Sequence, residues 1–172
     1  MKNIVYAFLT ILIFVSCQQS TKIGFVDNAK LINGYQEKMD VEASLKIKIT
    51  AFQKRTDSLR NAFRLKVNKA ELKAKKMSQA NIQKISQELQ ERDRILNQQY
   101  QIEQQQIAKE SQSKTDTLIK KVKDFIKDYG SKNGYSYILG SNEGGSVLYG
   151  NDENDLTQTI LDLLNTAYKK EE

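Results

Sequence analysis

A chain of 172 residues, 28% charged and 39% apolar with a formal charge of +6, is one domain's worth of basic material. It contains no His, Pro or Trp, so the common metal ligand and the usual near-neutral general base are missing, which excludes most zinc sites and the Ser-His and Cys-His triads. Its single cysteine cannot close an intramolecular disulfide, and no redox role is expected of it.

Residues 1–17 read as a targeting segment: Met1, Lys2 and Asn3 open it, an apolar run extends from Ile4 to Val15, and Ser16 and Cys17 close it. The run is too short for an ordinary transmembrane helix and suits a signal-peptide core. Val15, Ser16 and Cys17 resemble the lipobox of bacterial lipoproteins, with Phe14 where Leu is commoner. The resemblance implies lipidation of Cys17, removal of the peptide before it, and attachment to a membrane rather than a span across it. Gln18 and Gln19 lack an acidic retention signal, which by resemblance to lipoprotein sorting points to the outer membrane rather than the inner one. A soluble periplasmic protein cleaved near the same place is the alternative.

Residues 18–37 are assigned to a small body, in which Ile23, Gly24, Phe25 and Val26 form a short strand followed by a short helix. From Tyr35 to Tyr129 there are 95 residues without Gly or Pro, and such a stretch demands long helices. Positions 41, 45, 49, 52, 56, 59, 63, 67, 70, 74 and 77 read Val, Leu, Ile, Phe, Thr, Leu, Phe, Val, Ala, Ala and Met, a stripe at the helical period of about 3.6. A second helix starts at Ser78, whose hydroxyl can cap free amides, and its stripe is Ile82, Ile85, Leu89, Leu96, Tyr100, Ile107, Leu118, Val122, Phe125 and Tyr129. Gaps at Arg92, Glu103, Ser111 and Lys114 break this second stripe. Two one-striped helices joined by a polar turn near Met77 to Ala80 fold back as an antiparallel hairpin, and residues 38–129 are assigned to this arm.

Glycine returns in residues 130–172, which complete the body. Tyr135, Tyr137 and Leu139 alternate with Ser136 and Ile138, and Val147 to Tyr149 follows a Gly-Ser-Asn-Glu-Gly-Gly loop, which predicts a β-hairpin. A last helix is expected from Asp155, capped with the help of Gln158 and burying Leu156, Ile160, Leu163, Leu164 and Ala167. The fold class is therefore α+β, mostly α: a small β-sheet body carrying a long antiparallel α-helical hairpin. Three short strands and one helix make a small core with exposed edges, which predicts an oligomer joined through Ile23, Phe25, Ile138, Val147 and Tyr149.

Charge is sorted by part. Residues 38–128 carry 21 Lys and Arg against 12 Asp and Glu, so the arm is the basic part. Lys66, Lys69, Lys73, Lys75 and Lys76 gather near its tip and, with the apolar Leu59, Phe63 and Val67, are candidate contacts for a partner. An export signal, and the lack of an aromatic ladder or a recognisable motif, argue against nucleic acid. The carboxylates Asp152 and Asp155 are better explained as loop and cap residues than as catalytic groups, and no catalytic, cofactor or metal site is assigned.

The order of elements resembles the Skp (OmpH) family of periplasmic chaperones. The resemblance runs from Lys22-Ile23-Gly24-Phe25-Val26-Asp27 through the glycine-free arm to Tyr135-Ser136-Tyr137-Ile138-Leu139, Val147-Leu148-Tyr149 and Asp155-Leu156-Thr157. It implies a homotrimer with three helical tentacles around a cavity that holds an unfolded outer-membrane β-barrel protein without ATP or any cofactor. The best-known members are soluble, whereas Cys17 implies a tethered one. A coiled-coil spacer or scaffold of the cell envelope, with no client, is the other reading.

Overall fold

The structure is a computed structural model that describes residues 21–142 and 144–171. The targeting segment and Cys17 lie outside the described residues. Strand β1 (Ile23–Asp27) opens the body, and its alternation of exposed and buried positions comes from Gly24 and Val26 facing the core. Asp27 ends the strand and caps the short helix α1 (Asn28–Gly34), its carboxylate accepting from the Lys30 amide at 3.0 Å.

Tyr35 breaks the helical path with an extended conformation, ψ 119°. Helix α2 (Gln36–Ala74) follows. Tyr35 offers no side-chain cap of its own. Instead Asn165, from the far end of the chain, accepts from the Gln36 amide at 2.8 Å and donates to the Gly34 carbonyl at 3.2 Å. One amide group thus satisfies the end of one helix and the start of the next.

A turn over residues 75–78 reverses the chain into helix α3 (Gln79–Lys132). Ser78 sits at the N-cap position as expected, but its hydroxyl makes no cap hydrogen bond; its carbonyl accepts from Asn81 and Ile82 instead. From 41 to 77, the side chains of α2 and the turn that escape full exposure are at 41, 45, 52, 56, 63, 67, 70, 74 and 77, which is the expected stripe without Ile49 and Leu59. Helix α3 is longer than its partner by fifteen residues (54 against 39), and the excess is built into the body.

After α3, strand β2 (Tyr137–Ser141) pairs with β1 in parallel, Ile23 opposite Tyr137 and Phe25 opposite Leu139. A three-residue 3-10 turn (Asp152–Asn154) precedes helix α4 (Thr157–Glu171). On the other side of β1, Asp155 forms a one-residue parallel bridge with Phe25, and the Leu156 amide donates to the Phe25 carbonyl at 2.8 Å. The body's core is Val26, Leu31, Tyr35, Leu118, Val122, Leu156, Ile160 and Leu164, drawn from β1, α1, the root of α3 and the start of α4, with Ile138 of β2 partly buried against it. Thr157 is buried beside it and accepts from the Asp27 amide at 2.8 Å.

The structure corrects four expectations. The β-hairpin does not form: β2 takes its partner from β1, more than a hundred residues earlier, and Val147 to Tyr149 is an irregular loop. Gly145 in this loop has φ +89°, and Gly150 lies flat against the Phe25 ring where any β-carbon would collide, so the segment crosses the sheet face instead of extending beside it. Ile138 is not on the outer face, because its register partner is the core-facing Gly24 and its side chain packs against Gly130 and the core. On α4, Leu163 is 41% exposed and Leu161 takes the inner place, since Gly34 leaves room for it: a β-carbon there would stand 2.6 Å from Leu161 Cδ2. Finally, Asp155 accepts from the Thr157 amide at 2.9 Å, but Gln158 turns forward to Asp162 and closes no capping box.

Candidate functional site

The arm is two helices with a narrow shared face. Phe52 and Tyr100 stack across it with ring centroids 5.2 Å apart, and Leu45, Phe52 and Ile107 are the side chains it buries. Arg60 also lies over the Tyr100 ring, 4.8 Å from its centroid. Where the apolar stripe of α3 fails, ion pairs bridge the helices: Arg55 with Glu103 and Lys48 with Glu110. Two of the expected gaps, at Glu103 and Lys114, are therefore polar parts of the same seam, with Lys114 3.5 Å from Glu110. The hydrogen bond from Lys48 holds the Glu110 carboxyl below its ordinary value against the desolvation that raises it, with the Lys48 and Lys114 charges adding to the lowering.

Toward the tip the seam opens into two grooves that meet at Phe63. One, of about 680 Å³, is lined by Phe52, Leu59, Leu96, Tyr100 and Ile102 among others. The other, of about 450 Å³, is lined by Val67, Ala70, Met77, Ile82 and Leu89. Small side chains at Ala70 and Ala74 leave this outer seam unfilled, and no third element covers it among the described residues.

Leu59 is 42% exposed on a groove wall, and Phe63 and Val67 are half-buried within the grooves. Lys66, Lys69, Lys73, Lys75 and Lys76 are all exposed, and none pairs with a carboxylate among the described residues. The tip therefore combines open apolar walls with five lysines outside any ion pair, and Glu71 and Asp93 line the outer groove beside them.

At the other end of the molecule, the outer face of the sheet is apolar and open except where Gly150 lies on Phe25. Ile23, Tyr137 and Leu139 are 43%, 61% and 45% exposed, and Leu148 and Tyr149 beside them are almost fully so. Of the five expected interface residues, Ile23 and Tyr149 lie open, Phe25 and Val147 are half-buried, and Ile138 faces inward. Sequence reasoning missed Tyr137 and Leu139. Parallel pairing with Ile23 and Phe25 is the signal that assigns them outward, and it depends on knowing the partner strand. Among the described residues no helix is long and apolar enough to cross a membrane, and no group of three or more His, Cys, Asp or Glu could hold a metal ion.

Comparison with known proteins gives matches to a family model and to solved structures. A family model described as "Outer membrane protein (OmpH-like)" matches residues 22–164. A crystal structure of an OmpH-like outer membrane chaperone from Caulobacter crescentus CB15 is similar in fold, with a TM-score of 0.76 at 15% identity over 86% of each chain. No curated protein matches the chain.

Proposed function

The chain belongs to the OmpH-like outer membrane protein family, and from that premise we propose that it is an ATP-independent periplasmic holdase. It binds unfolded outer-membrane β-barrel proteins between helical arms and keeps them from aggregating. The observation that carries this reading is the outer seam of the arm: its apolar walls at Leu59, Phe63 and Val67 stand open beside five unpaired lysines. An unfolded chain presents apolar segments that need such temporary cover, and many weak contacts hold it reversibly. The Caulobacter protein of similar fold is described as a chaperone, in agreement with this role. No catalytic step or cofactor is part of the proposal.

The arms act together if the bodies associate, and the open sheet face with the free edge of β2 supports a homotrimer joined there. Acylation of Cys17 would hold the assembly at the outer membrane, with a soluble periplasmic form as the alternative. The parent protein should incorporate labelled palmitate in growing cells and Cys17→Ser should not; equal incorporation by both, or none by the parent, would exclude an anchor at Cys17.

The test of the function is mass in solution by light scattering, for the chain from Gln18 onward, alone and with an equimolar urea-unfolded β-barrel protein diluted beside it. A trimer that keeps the barrel protein soluble in a one-to-one assembly is the expected result. A monomer or dimer that leaves it to precipitate would overturn the reading in favour of an envelope spacer.

A further inference from the structure

A second apolar row runs along α2 on the side turned away from the seam. Ile47, Leu65 and Leu72 are 72%, 58% and 67% exposed. Eighteen residues separate the first two and seven the last two, which at roughly 3.6 residues per turn is five turns and then about two. The three side chains therefore stand in line, while Phe52, Phe63 and Val67 of the seam fall about half a turn round the helix. Among the described residues nothing covers this row.

Its surroundings are mainly basic. Lys54 falls within the row and Lys69 about 40–60° from it, while Lys66 and Lys73 stand roughly 80–120° round the helix on one side. Asp57 and Glu71 stand roughly 60–120° round on the other side, so four lysines accompany two carboxylates. None of these four lysines pairs with a carboxylate among the described residues.

These features select among occupants. Like charge opposes a second copy of the same face. Three isolated apolar side chains do not make the continuous apolar side with which a helix lies in a lipid interface. An unfolded polypeptide that intersperses apolar residues with carboxylates matches both the separate apolar knobs and the cations between them. We propose that the outer row of α2 is a contact line for such acidic, apolar segments, with Leu65 and Leu72 as its apolar anchors and Lys69 as the cation between them. This rests on the holdase reading and adds to it a face distinct from the seam grooves and a preference for client charge.

The test uses the protein as the cell processes it, held in phosphatidylcholine nanodiscs, and two fluorescent peptides of equal length. One scatters Leu and Asp among Ser and Gly; the other has Lys in place of Asp. The acidic peptide should bind at least about tenfold more tightly by anisotropy, and Leu65→Gln with Leu72→Gln should remove about that factor. Both leucines are exposed, so unchanged circular dichroism should accompany the loss. Lys69→Glu should lower the acidic peptide's advantage and leave the apolar row in place. Equal binding of the two peptides, or a double variant that binds as the parent does, would overturn the inference. So would phosphatidylglycerol vesicles that bind through the same leucines and are not displaced by the acidic peptide. Solubility of an unfolded barrel protein is read in parallel: if that is kept while the peptides fail to bind, this inference falls and the holdase reading stands. If the peptide binds and the barrel protein precipitates, the holdase reading falls instead.

Discussion

Asn165 shows how a single side chain can hold two elements in place. It closes the last carbonyl of α1 and the first amide of α2 from α4, and so fixes the angle at which the arm leaves the body. Asn165→Ala should cost about 1 kcal/mol of stability, the usual loss for a helix cap, as measured by urea unfolding followed by circular dichroism. Ile160 and Leu163 offer a contrast within one helix. Ile160→Ala removes a side chain of zero exposure and should cost about 2–5 kcal/mol, whereas Leu163→Ala at 41% exposure should cost well under 1 kcal/mol. The sequence pattern assigned both to the buried face, since Leu163 obeys the helical period as well as Ile160 does. What separates them is the room left by Gly34 for Leu161, and a contact between residues 127 positions apart leaves no local trace. Asn165 was illegible for the same reason: an Asn in a helix interior has no feature that names a distant helix end as its partner.

At the scale of elements, legibility followed the range of the forces involved. The stripe of α2 was readable almost position by position, because helix period and apolar burial are both local to the segment. The strand pairing was not, because alternation says that a strand exists but leaves its partner open; β2 matched β1 in parallel across the whole arm. The exposed apolar positions of the arm were half legible. The stripe gave Leu59, Phe63 and Val67, which line the grooves, but it hid the exposed Leu65 and Leu72, which break it. The polar middle of the seam also makes a prediction. Because Glu110 titrates below its ordinary value, its pairing with Lys48 contributes fully above the unfolded carboxylate pKa of about 4.3 and is lost as pH falls through the lowered folded value. Protection factors in the middle of α3, which take out the intrinsic slowing of amide exchange in acid, should therefore fall on acidification through that window, and Lys48→Met should flatten the response. As the pair is solvent-exposed, high salt should have a smaller effect of the same kind.

For the whole molecule, the two apolar surfaces have different characters. The sheet face is compact, with Ile23, Tyr137 and Leu139 adjacent across one parallel pair of strands, as suits a fixed partner. The arm's surfaces are drawn out along the helices, as suits a partner with no fixed shape. Leu139→Asp should therefore dissociate the proposed oligomer, giving a monomer in analytical ultracentrifugation, while helix content stays near that of the parent because Leu139 is 45% exposed and outside the core. An unchanged sedimentation coefficient would locate the contact elsewhere.

The unequal lengths of the two arm helices have a mechanical consequence. Helix α3 is one unbroken rod from the turn at the tip to Leu118 and Val122 in the core and on to Lys132, whereas α2 is rooted by its first turns alone, through Tyr35 in the core and Val41 against it. A sideways load at the tip thus becomes a torque on the core through both helices, with the longer root on α3. The rod acts as a lever whose short end is packed against β2 and α4. Anything that stiffens or loosens that short end should change how far the tip swings under a given load, some tens of ångströms away at about 1.5 Å per residue. The compliance of the arm is in this sense set at its root.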